Sequence, residues 1–252
     1  VLVVAGAAIA GIAFLTSLLF VRDTAAHVAL EQRARSHGAD EQAPGLRTAF
    51  AQATYGEPAL RSCSQAGLVN NLNDALAWGL VPLFLAAHGA GVASIGLVAA
   101  LYPAVWSMAQ IATGHWSDSV GRKPLIAAGM LVQAGALTLL AVSNGGLLAA
   151  AASAVLLGLG TALVYPTLIA AMSDFVSPVA RAPVVGVYRF WRDAGYVFGA
   201  LIAGTAADAL GYSGAIAIVA GLTGLSGLWV LRDMPSHSAL VSAVSARAVR
   251  AA

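Results

Sequence analysis

A chain of 252 residues that is 59% hydrophobic and only 10% charged has too little polar surface to coat a water-soluble globule, since soluble domains carry about 25% charged residues. The composition therefore excludes an ordinary soluble protein and predicts an integral membrane protein. A single cysteine, Cys63, excludes an intrachain disulfide and a cysteine-rich metal site, and we expect no metal, no cofactor and no nucleic-acid partner.

Seven apolar runs are long enough to cross a bilayer, which takes about 20 residues per helix. In chain order they cover residues 1–21, 66–88, 91–112, 124–142, 147–172, 184–206 and 213–231. They predict an all-α membrane protein with seven transmembrane helices. Short connections join the last six, so residues 66–232 are expected to form one six-helix bundle. Residues 22–65 are predicted to be a partly helical linker, and residues 233–252 a tail.

The basic residues indicate the orientation of the chain. All thirteen lie in the linker, in the tail or near one set of alternate connections. Because basic loops stay on the cytoplasmic side, the linker, the loop after the third helix and the C-terminus are predicted to be cytoplasmic, which puts residue 1 outside. These bases are Arg22, Arg33, Arg35, Arg47, Arg61, Arg122, Lys123, Arg181, Arg189, Arg192, Arg232, Arg247 and Arg250.

The second predicted helix carries an unusual polar stretch. Asp74 lies about 12 Å along this helix, near the bilayer midplane, where an ionisable group needs a cavity or a partner. Asn70, Asp74 and Trp78 share one helical face, which predicts the wall of a water-filled path with Asp74 as a proton-coupling acid. The alternative is an interhelical hydrogen-bond cluster that only packs the bundle. The polar residues of this stretch are Asn70, Asn71, Asn73 and Asp74.

The sixth predicted helix carries a second polar stripe. Arg189, Arg192, Asp193 and Tyr196 stand at i, i+3, i+4 and i+7, so they share a face, and Arg189 is spaced to pair with Asp193. Arg189 lies close enough to the helix end to reach the interface by snorkelling, whereas Arg192 lies deeper. The stripe is a candidate part of the substrate or proton path, with a purely structural role left open.

Between the third and fourth helices lies the short polar segment 114–124, with glycines at both ends and an acid in the middle. It predicts a tight turn on the basic side of the membrane. It resembles the signature G-x-x-x-D-[RK]-x-G-[RK]-[RK] of the major facilitator superfamily of secondary transporters. Ser119 stands where that family usually has a base. The matching residues are Gly114, Asp118, Gly121, Arg122 and Lys123.

The resemblance extends downstream. The stretch 158–167, with Tyr165 and Pro166, is followed by Asp174, Pro178 and Arg181, and this order is similar to that of many facilitators. Together with the linker, the resemblance covers nearly all of the chain. It implies that the first helix is the sixth of twelve and that the remaining six form the C-terminal half.

The function implied by the resemblance is alternating access, in which two bundles rock around a midplane site. The expected partners are the lipid bilayer, a small organic substrate, protons and an N-terminal half of the same transporter. Asp118 is expected to lock the inner gate by meeting a helix end of the opposite half. Local capping of a helix by Asp118, with Arg122 on a lipid phosphate, is the alternative. The expected location is a bacterial inner membrane, and the expected direction of transport is efflux.

Two other functions match parts of the sequence. A seven-helix receptor or sensor has the same helix count, although the only lysine, Lys123, lies outside the predicted helices and cannot form an intramembrane Schiff base. The segment Gly211-Tyr-Ser213-Gly214 fits the serine motif of an intramembrane protease, but that chemistry needs a later intramembrane histidine. His237 in the tail is the only later one, so we expect no enzymatic activity.

Overall fold

The computed structural model describes residues 2–20 and 43–235. They belong to two compact units, residues 1–42 and residues 43–252. In the first unit, helix α1 covers Leu2–Phe20. The predicted linker bases Arg22, Arg33 and Arg35 and the tail bases Arg247 and Arg250 lie outside the described residues.

The second unit is helical throughout its described part. It contains α2 (Leu46–Ala51), a π-helical turn (Gln52–Gly56), α3 (Pro58–Ala87), α4 (Val92–Val120), α5 (Arg122–Val142), α6 (Leu147–Asp174) and α7 (Arg181–Asp233). The described residues contain no strand. Helices α4, α5, α6 and α7 are long and apolar enough to cross a membrane. These features confirm the prediction of an all-α membrane protein.

Helix α3 starts eight residues before its predicted beginning. Pro58 occupies its first turn, where a proline costs no hydrogen bond because that backbone position has no intrahelical partner. The helix is not among the four apolar spans because its middle carries Asn70, Asn71, Asn73 and Asp74. What the sequence presents as the end of a linker is therefore the first two turns of a bundle helix.

Helix α7 contains the last two predicted transmembrane segments. It runs for 53 residues but breaks at Gly211, whose φ of 74° and ψ of 173° are not helical. Val184 and Val230 lie in one buried cluster, while Ala203 and Ile216 lie in another. The chain therefore doubles back at Gly211, and α7 consists of two antiparallel arms, residues 181–210 and 212–233.

The predicted polar loop at residues 114–124 is almost entirely helical. Helix α4 continues through Val120 and α5 begins at Arg122, so Gly121 alone makes the turn, with φ 96°. The hydroxyls of Ser117 and Ser119 donate to carbonyls one turn back, at 2.8 and 3.1 Å. These bonds let polar residues remain in the helix, and Asp118 therefore lies on the last turn of α4.

Two apolar cores divide the bundle along its length. One lies toward the end that carries Gly211 and includes Phe84, Leu137 and Ile216. The other lies toward the basic end and includes Ile126 and Val184. Between them runs a buried polar layer that includes Asn70, Asn73, Asp74, Gln133, Thr161 and Thr223.

A proline interrupts the backbone bonding of α6, and a neighbouring helix compensates for it. Pro166 has no N–H to offer the carbonyl of Ala162. The hydroxyl of Thr113 on α4 donates to that carbonyl at 2.8 Å. Such side-chain rescue is how membrane helices tolerate an internal proline, and it joins α4 to α6 beside the polar layer.

Candidate functional site

Asp74 lies at the centre of the polar layer, where it is 2% exposed. One carboxyl oxygen accepts a short hydrogen bond from Tyr102 on α4, and the other accepts from the hydroxyl of Tyr196 on α7 at 3.3 Å. Tyr102 also bonds Thr161 of α6 at 3.1 Å. Asp74 therefore joins α3, α4 and α7 directly, and Tyr102 extends the hydrogen bonding to α6.

Aromatic rings surround the acid. Trp78 stacks on Tyr196 with ring centroids 6.1 Å apart and lies 6.4 Å from Tyr102. Trp106 packs between Tyr102, at 6.3 Å, and Tyr165, at 5.5 Å. Its buried indole nitrogen has no hydrogen-bond partner in the described part of the chain. The wall around Asp74 is therefore largely aromatic.

Arg192 supplies the positive charge at this wall. Its guanidinium donates to the hydroxyl of Tyr165 at 3.0 Å and lies over the ring of that residue, 5.6 Å from the centroid. It also pairs with Asp193 at 2.7 Å. The predicted pair was Arg189 with Asp193, but Arg189 is exposed and Arg192 holds the acid instead. The stripe on α7 contributes Arg192, Asp193 and Tyr196 to the site.

The asparagines of α3 divide between different surroundings. Asn73 donates to Gln133 at 2.8 Å and accepts from Thr223 at the same distance, and Gln133 donates to Asn70 at 3.1 Å. These bonds tie α3 to α5 and to the second arm of α7, an arrangement that packs helices. Asn71 is buried where the first arm of α7 passes closest to α3. Asp74 and Trp78 are the predicted α3 residues that meet the aromatic wall.

A second cluster of charges lies at the basic end, where α4, α5 and α6 meet. Arg122 pairs with Asp118 at 2.8 Å and with Asp174 at 2.9 Å, and it also donates to the hydroxyl of Ser117. The Arg122 side chain is 19% exposed, whereas that of Asp118 is 68% exposed. Asp118 therefore keeps one side open to a further partner.

The other predicted gate residues lie around this cluster. Gly114 is exposed within α4, and Lys123 is half-buried in the first turn of α5. Gly121 is the buried one-residue turn between the two helices. Arg122 therefore connects the ends of α4, α5 and α6 directly. Gly121 makes the short turn that brings the ends of α4 and α5 together.

The sequence model of the Major Facilitator Superfamily matches residues 64–250. The chain belongs to this superfamily. It is therefore a membrane transporter and a multi-pass integral membrane protein, which sets aside the receptor or sensor alternative. The matched region begins within α3 and includes both charge clusters. No curated protein matches the chain.

Five residues of the candidate site were not predicted to belong to it, although Tyr165 and Asp174 form part of the family resemblance. Tyr102, Trp106, Thr161 and Tyr165 lie in long apolar runs, and Asp174 lies at the end of one. The available signal was an aromatic or hydroxyl residue in α4 or α6 at the depth of Asp74. A membrane-spanning helix is apolar on every side, so its sequence does not show which face lies toward the site.

Asp118→Asn in the complete facilitator is expected to slow transport several-fold while changing stability by less than about 1 kcal/mol, the usual value of an exposed ion pair. The substitution removes the more exposed of the two carboxylates bonded to Arg122. Transport rates at equal membrane expression would measure the effect.

Asp208→Asn is the matched control, because Asp208 is an exposed acid at the opposite end of the bundle. It should transport like the wild type. Wild-type transport by Asp118→Asn would leave Asp118 with a local structural role only.

Proposed function

We propose that this facilitator moves a small organic solute by alternating access, with protons as the coupling ion and efflux as the direction. The observation that carries the proposal is Asp74, a buried carboxyl group held by the hydroxyls of Tyr102 and Tyr196. A phenol can donate to a carboxylate and accept from a protonated carboxyl group. Both forms of the acid therefore keep hydrogen bonds at this position.

Burial affects the charged and the protonated forms of Asp74 differently. Desolvation disfavours the charged carboxylate, and an ionised acid at the bilayer centre costs about 2.5–3.5 kcal/mol on insertion scales. In the described residues, no base is bonded to Asp74, since Arg192 is bonded to Asp193 and Tyr165. When the site opens to the side with the higher proton concentration, Asp74 takes up a proton. When the site opens to the other side, Asp74 releases it.

The composition of the wall favours a substrate with little charge. Its aromatic rings offer apolar faces, and the charge of Arg192 is already matched by Asp193. A strongly charged solute would have to displace that pair. We therefore infer an uncharged or singly charged organic molecule with an apolar body.

The exposure of this wall supports a second bundle as partner. Trp78 is 48% exposed although it stacks on Tyr196, and Asp193 is also exposed. Aromatic and acidic side chains of a transport site need a facing surface that excludes lipid. The N-terminal half of the same transporter would supply that surface, with α1 as its last helix.

The cluster around Arg122 is proposed to be the inner gate of this assembly. Asp118 has the free carboxylate edge that a helix end of the opposite half would meet, because helix N-termini attract negative charge. Arg61, Arg122, Lys123, Arg181 and Arg232 lie toward this end of the bundle, whereas Arg192 lies at the aromatic wall. Their position supports a cytoplasmic basic end and C-terminus in a bacterial inner membrane.

The proposal is tested in proteoliposomes that contain either the complete transporter or only these 252 residues. A panel of small organic solutes is added under an imposed pH gradient, and a trapped pH-sensitive dye reports proton movement. We expect a solute to evoke proton flux with the complete transporter only, because the isolated bundle lacks the facing half.

Two results would contradict the proposal. Solute accumulation by the 252 residues alone would remove the need for a second bundle. Accumulation by the complete transporter that survives collapse of the proton gradient would remove protons as the coupling ion.

A further inference from the structure

A cavity of about 180 Å³ lies at the basic end of the bundle, away from Asp74. The π-helical turn, α3 and both arms of α7 enclose it. Its lining includes Thr54, Arg61, Ser64, Gln65, Trp191 and Trp229. The cavity combines a guanidinium, hydroxyls and an amide with two indole rings, which is an interfacial composition.

Positive charge predominates at the mouth of this cavity. Arg61 donates twice to one oxygen of Asp233, at 2.9 and 2.7 Å, and Trp229 donates to the same oxygen at 2.8 Å. The neighbouring Arg232 is exposed. Two guanidinium groups thus stand beside one carboxylate. Since an arginine has five N–H donors, Arg61 retains donors for an anion.

A buried polar group beside the cavity also lacks a partner. Ser64 is 4% exposed and lines the cavity, and its buried hydroxyl has no hydrogen-bond partner within the described ranges. A buried hydroxyl without a partner is costly. Rotation of the Ser64 side chain toward the cavity would let its hydroxyl donate to a ligand oxygen there and would reduce that cost.

An apolar groove continues from the cavity along the second arm of α7. It has a volume of about 470 Å³ and is lined by Leu225, Leu228, Trp229, Arg232 and Asp233. Trp229 borders both spaces. Leu225 and Leu228 are exposed on the outer surface of this arm, 64% and 55% respectively, and Arg232 lies beyond them at the basic end. The groove therefore has the polarity of one phospholipid, with a charged head and an apolar chain.

We propose that these two spaces bind a phospholipid with an anionic headgroup. Its phosphate lies against Arg61 and Arg232, its polar head enters the cavity beside Ser64, and an acyl chain lies along Leu225 and Leu228. Planar guanidinium groups match phosphate geometry. A free phosphate has the same headgroup chemistry but leaves the leucine groove unused. The site is independent of the transport function proposed above.

The bound lipid would also contact the linker. Trp191 donates to Thr54 at 2.9 Å and packs on Phe50 with centroids 5.9 Å apart. These contacts close the cavity on one side. Trp191 directly precedes Arg192, which is bonded to Tyr165 of the aromatic wall. Lipid in the cavity would therefore restrict the motion of both the linker and this part of the wall.

Native mass spectrometry of the purified, delipidated chain tests the proposal by titration with phosphatidylglycerol and with phosphatidylcholine of the same acyl chains. We expect phosphatidylglycerol to bind about fivefold more tightly, the effect of one basic residue near an anionic lipid. The key variant is Arg61→Gln/Asp233→Asn, which leaves the net charge and the Trp229 acceptor in place. It should lose about tenfold in affinity for phosphatidylglycerol, because a charge-assisted hydrogen bond is removed.

Arg181→Gln is the control, since Arg181 is exposed at the same end and does not line the cavity. It should bind phosphatidylglycerol like the wild type. Equal losses in the control and the double variant would indicate general attraction to the basic end and overturn the site. So would unchanged binding by the double variant. Displacement of phosphatidylglycerol by an equal concentration of inorganic phosphate would assign the site to the free anion instead of a lipid.

Discussion

Asp74→Asn in the complete transporter is expected to abolish proton-driven accumulation of substrate while leaving substrate exchange near the wild-type rate. Asparagine keeps the size of the side chain, with a carbonyl oxygen that accepts from one tyrosine and an amide group that donates to the hydroxyl oxygen of the other, but it cannot take up or release a proton. Exchange needs only the two access states, whereas accumulation needs the gradient. Both rates would be measured in proteoliposomes with and without an imposed pH gradient.

Asp74→Glu is the companion variant, because it retains an ionisable carboxyl group. It should restore part of the accumulation that Asp74→Asn loses, at a cost from the extra methylene in a buried site. Full accumulation by Asp74→Asn at equal membrane expression would reduce Asp74 to a packing residue.

Gly195→Ala is expected to destabilise the bundle more than any exposed substitution, by about 1–3 kcal/mol or more. A methyl group at Gly195 would lie 2.1 Å from the carbonyl oxygen of Leu68 and 3.0 Å from Cβ of Asn71. The first contact is with backbone, so no side-chain rotation relieves it. Helix α3 and the first arm of α7 would have to separate. A lower thermal unfolding temperature in detergent would report this.

Gly204→Ala is the matched control on the same arm, because nothing lies within 4 Å of its added methyl group. Alanine in a helix is favoured over glycine by up to about 1 kcal/mol, so this variant should be no less stable than the wild type. Equal unfolding temperatures for the two variants would mean that the helices are not in close contact at Gly195.

The sequence predicts well those features that depend on composition and length. Apolar runs separated by short connections identify the bundle helices. Asp74 is identified because an acid at that depth is costly without a partner. The family follows from the segment around Asp118, and the match over residues 64–250 confirms it.

The boundaries and the partners are harder to predict, for physical reasons. Helix α3 extends back to Pro58 because helical hydrogen bonding continues beyond the apolar span. The segment before Gly121 is helical because serine hydroxyls bond to the preceding turn. The polar composition of both stretches predicts loops, because composition reflects exposure to water and not the hydrogen bonding of the backbone.

The tyrosine partners of Asp74 depend on tertiary structure. Tyr102 and Tyr196 are 94 residues apart in the chain, and the path of two intervening helices, α5 and α6, brings them to the same carboxyl group. Likewise, Arg192 and not Arg189 pairs with Asp193, because Tyr165 on α6 holds the Arg192 guanidinium in place. Spacing along one helix cannot contain that information.

The prolines inside α4 and α6 directly follow two aromatic residues of the site. Pro103 comes after Tyr102, and Pro166 comes after Tyr165. At each proline the helix lacks one backbone bond, so bending stiffness is lowest there. A bend at these points tilts the two rings along with the helix. The points of lowest bending stiffness in α4 and α6 therefore coincide with the aromatic wall of the proposed transport site, so a bend at either proline would change the distance between its rings.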